Sequence, residues 1–253
     1  CKRLLAWHSV SQMGYILAGF GAGNSIAVTG SLYHILSHAI FKSLLFLSIG
    51  SVILYTGRRS IKKLSGLLKV MPLTAVLFLA GALSIIGIPP FNGYISKKMI
   101  LYGLKDLPSA YWVLWAVSAG TAASFIKLSA IFWKKGPPEE ALIIPVRNNK
   151  GFSLGHLGMI GLALLCLITG IVGPEILKPG SFLISGMTIK DMPFFWNLEA
   201  LLDTVITAAA GVALFFLIIS RRGKKLQDYI SRRELSFDWT LVLFLGGFLF
   251  FYG

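Results

Sequence analysis

The feature that most constrains this chain is an apolar run, residues 26–55, that contains three ionisable side chains. A helix of this length rises about 45 Å, which is enough to cross a bilayer. His34, His38 and Lys42 are four residues apart, so on a helix they form one polar stripe, with about 40° between neighbours. A lysine at the bilayer centre costs about 3 kcal/mol, which favours a functional reason for its presence. The stripe predicts a proton relay; the alternative is two neutral, hydrogen-bonded histidines and a Lys42 that extends toward the membrane surface.

The rest of the chain is also too apolar for a soluble domain. Its 253 residues are 55% hydrophobic and only 13% charged, which is typical of a protein that crosses the membrane several times. The net charge is nevertheless +14. Lysines and arginines gathered in loops on one side of a membrane produce such an excess, so we interpret it as a sign of topology and not of nucleic-acid binding.

These apolar stretches predict an all-α membrane protein with about seven transmembrane helices. The predicted segments are residues 4–23, 26–55, 72–104, 111–133, 152–172, 198–220 and 237–253. Residues 173–197 contain three prolines and are expected to lie along the membrane surface. Residues 221–236 form a charged linker.

The distribution of basic residues gives an orientation to these segments. If successive helices alternate in direction, the loops richest in lysine and arginine all fall on one side, which we expect to be cytoplasmic. We therefore divide the chain into core helices (residues 1–133), a cytoplasmic loop (residues 134–152) and C-terminal transmembrane helices with an amphipathic linker (residues 153–253). The basic loops would then face the cytoplasm from a cytoplasmic or inner membrane.

The third segment, residues 72–104, is predicted to be a discontinuous helix. Pro89, Pro90 and Gly93 interrupt it, and two adjacent prolines do not fit the interior of an unbroken helix. An unwound turn at membrane depth is tolerated only inside protein or beside a water-filled cavity, and transporters place ion sites at such breaks. Lys97 and Lys98 follow directly. The alternative is an ordinary loop between two helices, but the second piece alone is too short to cross a bilayer.

A further lysine, Lys127, falls within the fourth segment, about two turns from the basic end of that helix. An intramembrane ion site and a side chain that reaches the surface are equally compatible with its position. All ten acidic residues lie in loops or near helix ends, with Glu199 and Asp203 at the start of the sixth segment. We therefore expect the buried lysines to lack a deep carboxylate partner within this chain.

Metal and cofactor sites are not predicted. The two cysteines, Cys1 and Cys166, are too few and too far apart for a ligand or disulfide pattern. No Gly-rich nucleotide loop, iron–sulfur cysteine set or haem pair is recognisable. The chain starts without a methionine, so we expect it to be the later part of a longer protein.

Three ordered motifs resemble one family of membrane proteins. They are Lys2-Arg-Leu-Leu-Ala6 with Ser9-Val-Ser-Gln-Met-Gly14, then His34 and His38 with Phe41-Lys-Ser-Leu-Leu-Phe46, then Gly87-Ile-Pro-Pro-Phe-Asn-Gly93 with Ser96-Lys97. The set is similar to the second half of the antiporter-like subunits of respiratory complex I, of Mrp-type sodium/proton antiporters and of membrane-bound hydrogenases. The resemblance implies a fold of two inverted five-helix repeats, of which this chain would supply the second.

The resemblance also implies roles and partners. The resemblance places Lys2, His34, His38, Lys42 and Lys97 on the ion pathway. Because Lys98 lies beside Lys97, which of the two would carry the proton is left open. We add Lys127 to the candidate pathway for its position within an apolar segment. His8 stands where the family usually has a serine. The implied partners are other membrane subunits of a complex, including a related antiporter-like subunit, together with the lipid bilayer. The deep carboxylate that the buried lysines lack is the one that the family's first repeat would provide.

The leading functional hypothesis is an ion-translocating membrane subunit of a redox-driven complex or multisubunit antiporter. The transported ion would be the proton, with exchange for sodium left open. The alternative is a non-conducting half-transporter that seals and couples neighbouring subunits. Because the chain has no recognisable redox centre, any enzyme activity would belong to the complex.

Overall fold

The computed structural model describes residues 2–60, 64–134, 154–186, 189 and 195–219. Within these residues the chain is helical and contains no strand. The helices are α1 (Lys2–Ala22), α2 (Ser25–Thr56), α3 (Pro72–Ile86), α4 (Asn92–Gly103), α5 (Pro108–Trp133), α6 (Leu154–Ser185) and α7 (Leu198–Ile219), with a 3₁₀ turn at Leu67–Lys69. Residues 1–212 form one compact unit, and of the second unit, residues 213–253, only the end of α7 is described.

In the described part of the chain, four helices are long and apolar enough to cross a membrane, namely Ser25–Thr56, Pro108–Trp133, Leu154–Pro179 and Leu198–Leu217. The shorter apolar helix α3 is followed by α4 across a break. The predicted all-α membrane fold with one discontinuous helix is thereby confirmed. The predicted cytoplasmic loop at residues 134–152, apart from Lys134, lies outside the described residues, as do the linker at 221–236 and the last segment at 237–253.

Helix α2 is the centre of the bundle, packed against α1, α3, α4 and α6. The Asn24 side chain caps its first turn by accepting from the Ala27 amide at 2.9 Å, and Gly57 ends it with a φ of 69°. Side chains of its apolar faces, among them Phe41 and Leu45, are fully buried in the main core. One face of α2, which includes Leu36 and Leu47, is exposed, whereas the polar stripe lies on the side that packs against other helices.

The break between α3 and α4 occupies residues 87–91. Gly87 ends α3 with a φ of 91°, a conformation that favours glycine. Gly93, in the first turn of α4, lies so close to α3 that an added Cβ would be 1.9 Å from the Ser84 carbonyl oxygen. Gly170 of α6 approaches the other side, where a Cβ would be 2.0 Å from the Pro90 carbonyl oxygen. The unwound turn is therefore enclosed by protein, as its polar backbone requires.

The predicted end of the fifth segment at residue 172 is wrong. Helix α6 continues through Pro174 and Pro179 to Ser185, so residues 173–185 are helical and not a surface loop. Transmembrane helices tolerate proline because neighbouring groups can satisfy the backbone that it frees. Here the extended part packs inward, with Leu177 buried against Tyr33 and Tyr94.

Candidate functional site

The stripe of α2 faces into the bundle, and His34 is its most buried member. The His34 side chain is fully buried, with Nε2 3.0 Å from Gln12 Oε1 of α1 and Nδ1 2.8 Å from Ser96 Oγ of α4. An amide oxygen can only accept, so Nε2 donates to it. In a neutral ring Nδ1 then accepts from the Ser96 hydroxyl, which can alternatively donate to the carbonyl oxygens of Asn92 and Gly93. The neighbouring His38 ring stacks 6.4 Å away, centroid to centroid. His34 thus links three helices in one hydrogen-bonded chain.

Lys42 lies at the other end of the stripe and is held by backbone. Its Nζ donates to the Leu5 carbonyl oxygen of α1 and lies 5.7 Å from the centroid of the Phe46 ring. The side chain is only 7% exposed. Among the described residues no carboxylate pairs with it, so the ammonium is stabilised by a dipole and an aromatic face alone.

Lys97 lies at the break. Its Nζ donates to the carbonyl oxygens of Ile85 at 2.7 Å and Ile86 at 3.4 Å, the last two residues of α3. The C-terminal end of a helix carries a partial negative charge, which stabilises a cation there. The ammonium also lies 5.0 Å from the centroid of the Tyr15 ring, and the side chain is 3% exposed. The break therefore leaves carbonyl groups at the end of α3 free to accept from a buried lysine; that an ion site forms there stays a prediction.

One face of α1 lines the whole group of polar residues. Leu5 accepts from Lys42, Gln12 binds His34, and the Tyr15 ring lies against Lys97. His8 occupies the same face between them, close enough for the charges of Lys42 and Lys97 both to act on its ring. These positions are spaced i, i+3, i+7 and i+10, which places them along one side of a helix. The quoted sequence motif includes Leu5 and Gln12, and His8 and Tyr15 lie just outside its two pieces. Sequence reasoning assigned a role to none of the four; the spacing was the signal available.

Several polar atoms beside these residues have no protein partner. Among the described residues, His8 Nδ1, Gln12 Nε2, His38 Nε2 and Asn92 Nδ2 are buried without a hydrogen bond. A buried polar atom left unsatisfied costs about 1–3 kcal/mol, and buried water is the usual remedy. The clustering of these atoms along the stripe indicates a polar interior that can take up water.

The remaining predicted site residues lie elsewhere. Lys2 is exposed at the start of α1, and Lys127 is exposed on the surface of α5. Lys98 is on the α7 side of α4, where its Nζ forms an ion pair with Asp203 and lies 5.9 Å from the Tyr94 ring centroid. The expectation that no carboxylate of this chain reaches these lysines is therefore wrong for Lys98, because Asp203 of α7 lies beside α4.

Comparison with known proteins gives consistent results. A family profile described as "NADH:quinone oxidoreductase/Mrp antiporter, TM" matches residues 1–126. NADH-quinone oxidoreductase subunit N of Desulforudis audaxviator is 42% identical over 141 residues, which cover 54% of this chain and 28% of that protein. Na(+)/H(+) antiporter subunit A1 of Staphylococcus aureus is 31% identical over an alignment of 246 residues that covers 84% of this chain and 30% of that protein.

The fold is similar to that of a solved membrane complex. A chain in the structure of the Mrp complex from Dietzia sp. DQ12-45-1b superposes with a TM-score of 0.58 at 25% identity, covering 83% of this chain and 42% of that one. This chain spans about a third of the length of the curated relatives that it matches.

Proposed function

This chain belongs to the NADH:quinone oxidoreductase/Mrp antiporter family of transmembrane proteins, and we propose on that basis that it moves protons across the membrane as part of a larger complex. The route runs through Lys97, His34, His38 and Lys42, with His8 beside it. The complex carries out any redox reaction, and this chain supplies part of the path for the ion.

The observation that carries this proposal is how the two buried lysines are held. Lys42 and Lys97 donate to backbone carbonyl oxygens, and in the described part of the chain neither is paired with a carboxylate. Burial disfavours the charged form of a lysine, and without a fixed counter-charge little holds the proton in place. Each lysine can therefore alternate between its charged and neutral forms when a nearby charge changes.

The groups between the lysines suit proton transfer. His34 is bonded on both sides of its ring, so a proton arriving at one nitrogen can be matched by departure from the other. The stacked His38 ring continues the stripe toward Lys42. The unpartnered atoms of Gln12, His8 and His38 can hold the water that joins these steps. Nitrogen bases of this kind carry protons, whereas a sodium ion would need a cage of oxygen ligands, so we propose the proton as the ion.

The proposed partners are other membrane subunits. Relatives include a subunit of an NADH-quinone oxidoreductase and a subunit of a Na(+)/H(+) antiporter. We propose that this chain likewise works beside further membrane subunits, including a related antiporter-like one, and that a carboxylate from outside the described residues biases Lys42. The basic loops would face the cytoplasm and the protein would lie in the cytoplasmic or inner membrane.

Replacing Lys42 by glutamine tests the proposal. Glutamine can still donate to the Leu5 carbonyl group but cannot carry the proton, so we expect proton uptake to fall by about 10²-fold. The measurement is the acidification of proteoliposomes that contain the assembled complex with the full-length protein. Lys69→Gln, at an exposed position on the 3₁₀ turn, is the matched control and should pump normally. An assembled Lys42→Gln complex that pumped at the unmodified rate would show that the chain is a non-conducting structural subunit.

A second variant tests whether His8 offers a parallel route. We expect His8→Ser to slow proton uptake by about twofold, because a parallel route through His34 remains. In the double variant with His34→Gln, the rate of proton uptake should fall by more than the product of the two single fold-changes, because each change removes one of two routes. If His8→Ser alone were neutral and the double variant matched His34→Gln, His8 would have no part in the transfer.

A further inference from the structure

Two cavities beside α4 and α7 are both lined by the Lys98–Asp203 ion pair. The inner cavity has a volume of about 30 Å³ and is lined by Lys97 and Ser118 together with Lys98 and Asp203. The outer cavity is wider, at about 290 Å³, and is lined by Lys105, Asn197 and Glu199 together with the same Lys98 and Asp203. The two cavities therefore share the Lys98–Asp203 ion pair as a common wall.

We propose that Asp203 passes protons between Lys97 and the membrane surface, and that the ion pair with Lys98 opens and closes this route. The proposal rests on the proton-translocating function proposed above, and it names the point at which the buried path reaches the outside. It also gives Lys98, whose role the sequence left open, a function distinct from that of Lys97.

The positions of the two lysines follow from their places on α4. Consecutive residues of a helix point about 100° apart, so Lys97 reaches the last carbonyl groups of α3 while Lys98 reaches α7. Asp203 lies five residues into α7, about 7.5 Å along the helix from its first residue. The pair is thus set back from the start of α7, where Asn197 and Glu199 line the outer cavity.

The inner cavity has room for a short water link. A volume of about 30 Å³ can hold roughly one or two water molecules, and both Lys97 and Asp203 border it. Ser118 connects the inner cavity to the proposed proton route. Its Oγ is 2.6 Å from the hydroxyl oxygen of Tyr15, and the ring of Tyr15 lies against Lys97. A single water between the ammonium and the carboxylate would complete the path.

The transfer needs no partner beyond water. An N–H bond of the Lys97 ammonium breaks, its proton passes to water, and water gives a proton to a carboxylate oxygen of Asp203, forming an O–H bond. A neutral carboxyl group no longer attracts Lys98, so the ion pair separates and Asp203 can release the proton into the outer cavity. The carboxylate then pairs with Lys98 again, and the reverse sequence carries a proton inward.

The exposure of the pair and its location fit this cycle. The Asp203 side chain is 33% exposed and that of Lys98 is 14% exposed, so the carboxylate is the more accessible partner. The outer cavity includes Lys105, just beyond the end of α4. The C-terminal end of α4 and the basic segment before α3 are at opposite ends of the broken helix that α3 and α4 form. The proposed route therefore opens on the side away from the one proposed to be cytoplasmic.

The test compares Asp203→Asn and Lys98→Gln in the assembled complex with the full-length protein. Asp203→Asn should lower proton uptake into proteoliposomes by about 10²-fold, since the amide cannot take up the proton. Asp203→Glu should recover most of the rate. Glu175→Gln, which removes an exposed carboxylate from α6, is the control and should pump normally.

Lys98→Gln provides an independent readout. In this variant Asp203 has lost its ion-pair partner and can exchange protons continuously. A pH gradient imposed across the vesicles should therefore decay about tenfold faster than with the unmodified protein, in the absence of the driving reaction. If both Asp203→Asn and Lys98→Gln behaved like Glu175→Gln, the proposal would be overturned. Loss of pumping in Lys42→Gln with normal pumping in Asp203→Asn would overturn this route alone, whereas normal pumping in Lys42→Gln would overturn the proposed function as well.

Discussion

Replacing Lys97 by glutamine is expected to reduce proton translocation by about 10²-fold or more, the largest functional effect that we predict for this chain. The amide can still donate to the carbonyl oxygens of Ile85 and Ile86, so the end of α3 stays capped. What is lost is the group that gains and releases the proton. Proton uptake by proteoliposomes and abundance of the assembled complex should be measured together, because only the first should change.

Lys97→Arg separates proton transfer from positive charge. Arginine keeps the charge beside the α3 carbonyl groups but does not release its proton, so this variant should also fail to pump. Lys69→Gln again serves as the control for the loss of one exposed lysine. An arginine variant that pumped at the unmodified rate would mean that position 97 needs only a fixed cation, and the relay would have to bypass it.

The largest effect on stability is expected from Gly93→Ala. The added Cβ would lie 1.9 Å from the Ser84 carbonyl oxygen and 2.8 Å from its carbon, so α3 and α4 must move apart at the break. Overpacking of this kind typically costs about 1–3 kcal/mol, and here the obstructing atoms are backbone and cannot rotate away. We expect less complex in the membrane and a lower midpoint of thermal denaturation in detergent.

Gly120→Ala is the matched control for this change. Nothing lies within 4 Å of a Cβ added at Gly120, and replacing a glycine inside a helix by alanine stabilises it by about 0.5–1 kcal/mol. The two variants should therefore move the thermal midpoint in opposite directions. Equal midpoints would show that the contact at the break is looser than the geometry indicates.

Part of the candidate site could be predicted because it depends on one helix at a time. The i, i+4, i+8 spacing of His34, His38 and Lys42 places them on one stripe whatever surrounds the helix. The break before Lys97 follows from the backbone chemistry of Pro89 and Pro90. Neither statement needs knowledge of what packs nearby.

The partners of those residues could not be predicted. Lys42 bonds to Leu5, 37 residues away, and Lys98 pairs with Asp203, 105 residues away. The same is true of Gln12, whose role depends on α1 crossing α2 beside His34. Lys127 shows the converse, since its position in the sequence fitted an intramembrane site and a side chain at the surface equally well, and the fold leaves the residue exposed on α5.

The sequence by itself determined that this chain is an all-α membrane protein with a polar stripe in one helix and a break in another. These properties arise from hydrophobic length, helical period and proline geometry, which act over a few turns. The tertiary structure alone decided that α6 continues past its prolines, that α3 ends against Lys97, and that α7 brings a carboxylate to Lys98. Each of these depends on which helices pack together, and pairings between distant segments leave no local pattern to read.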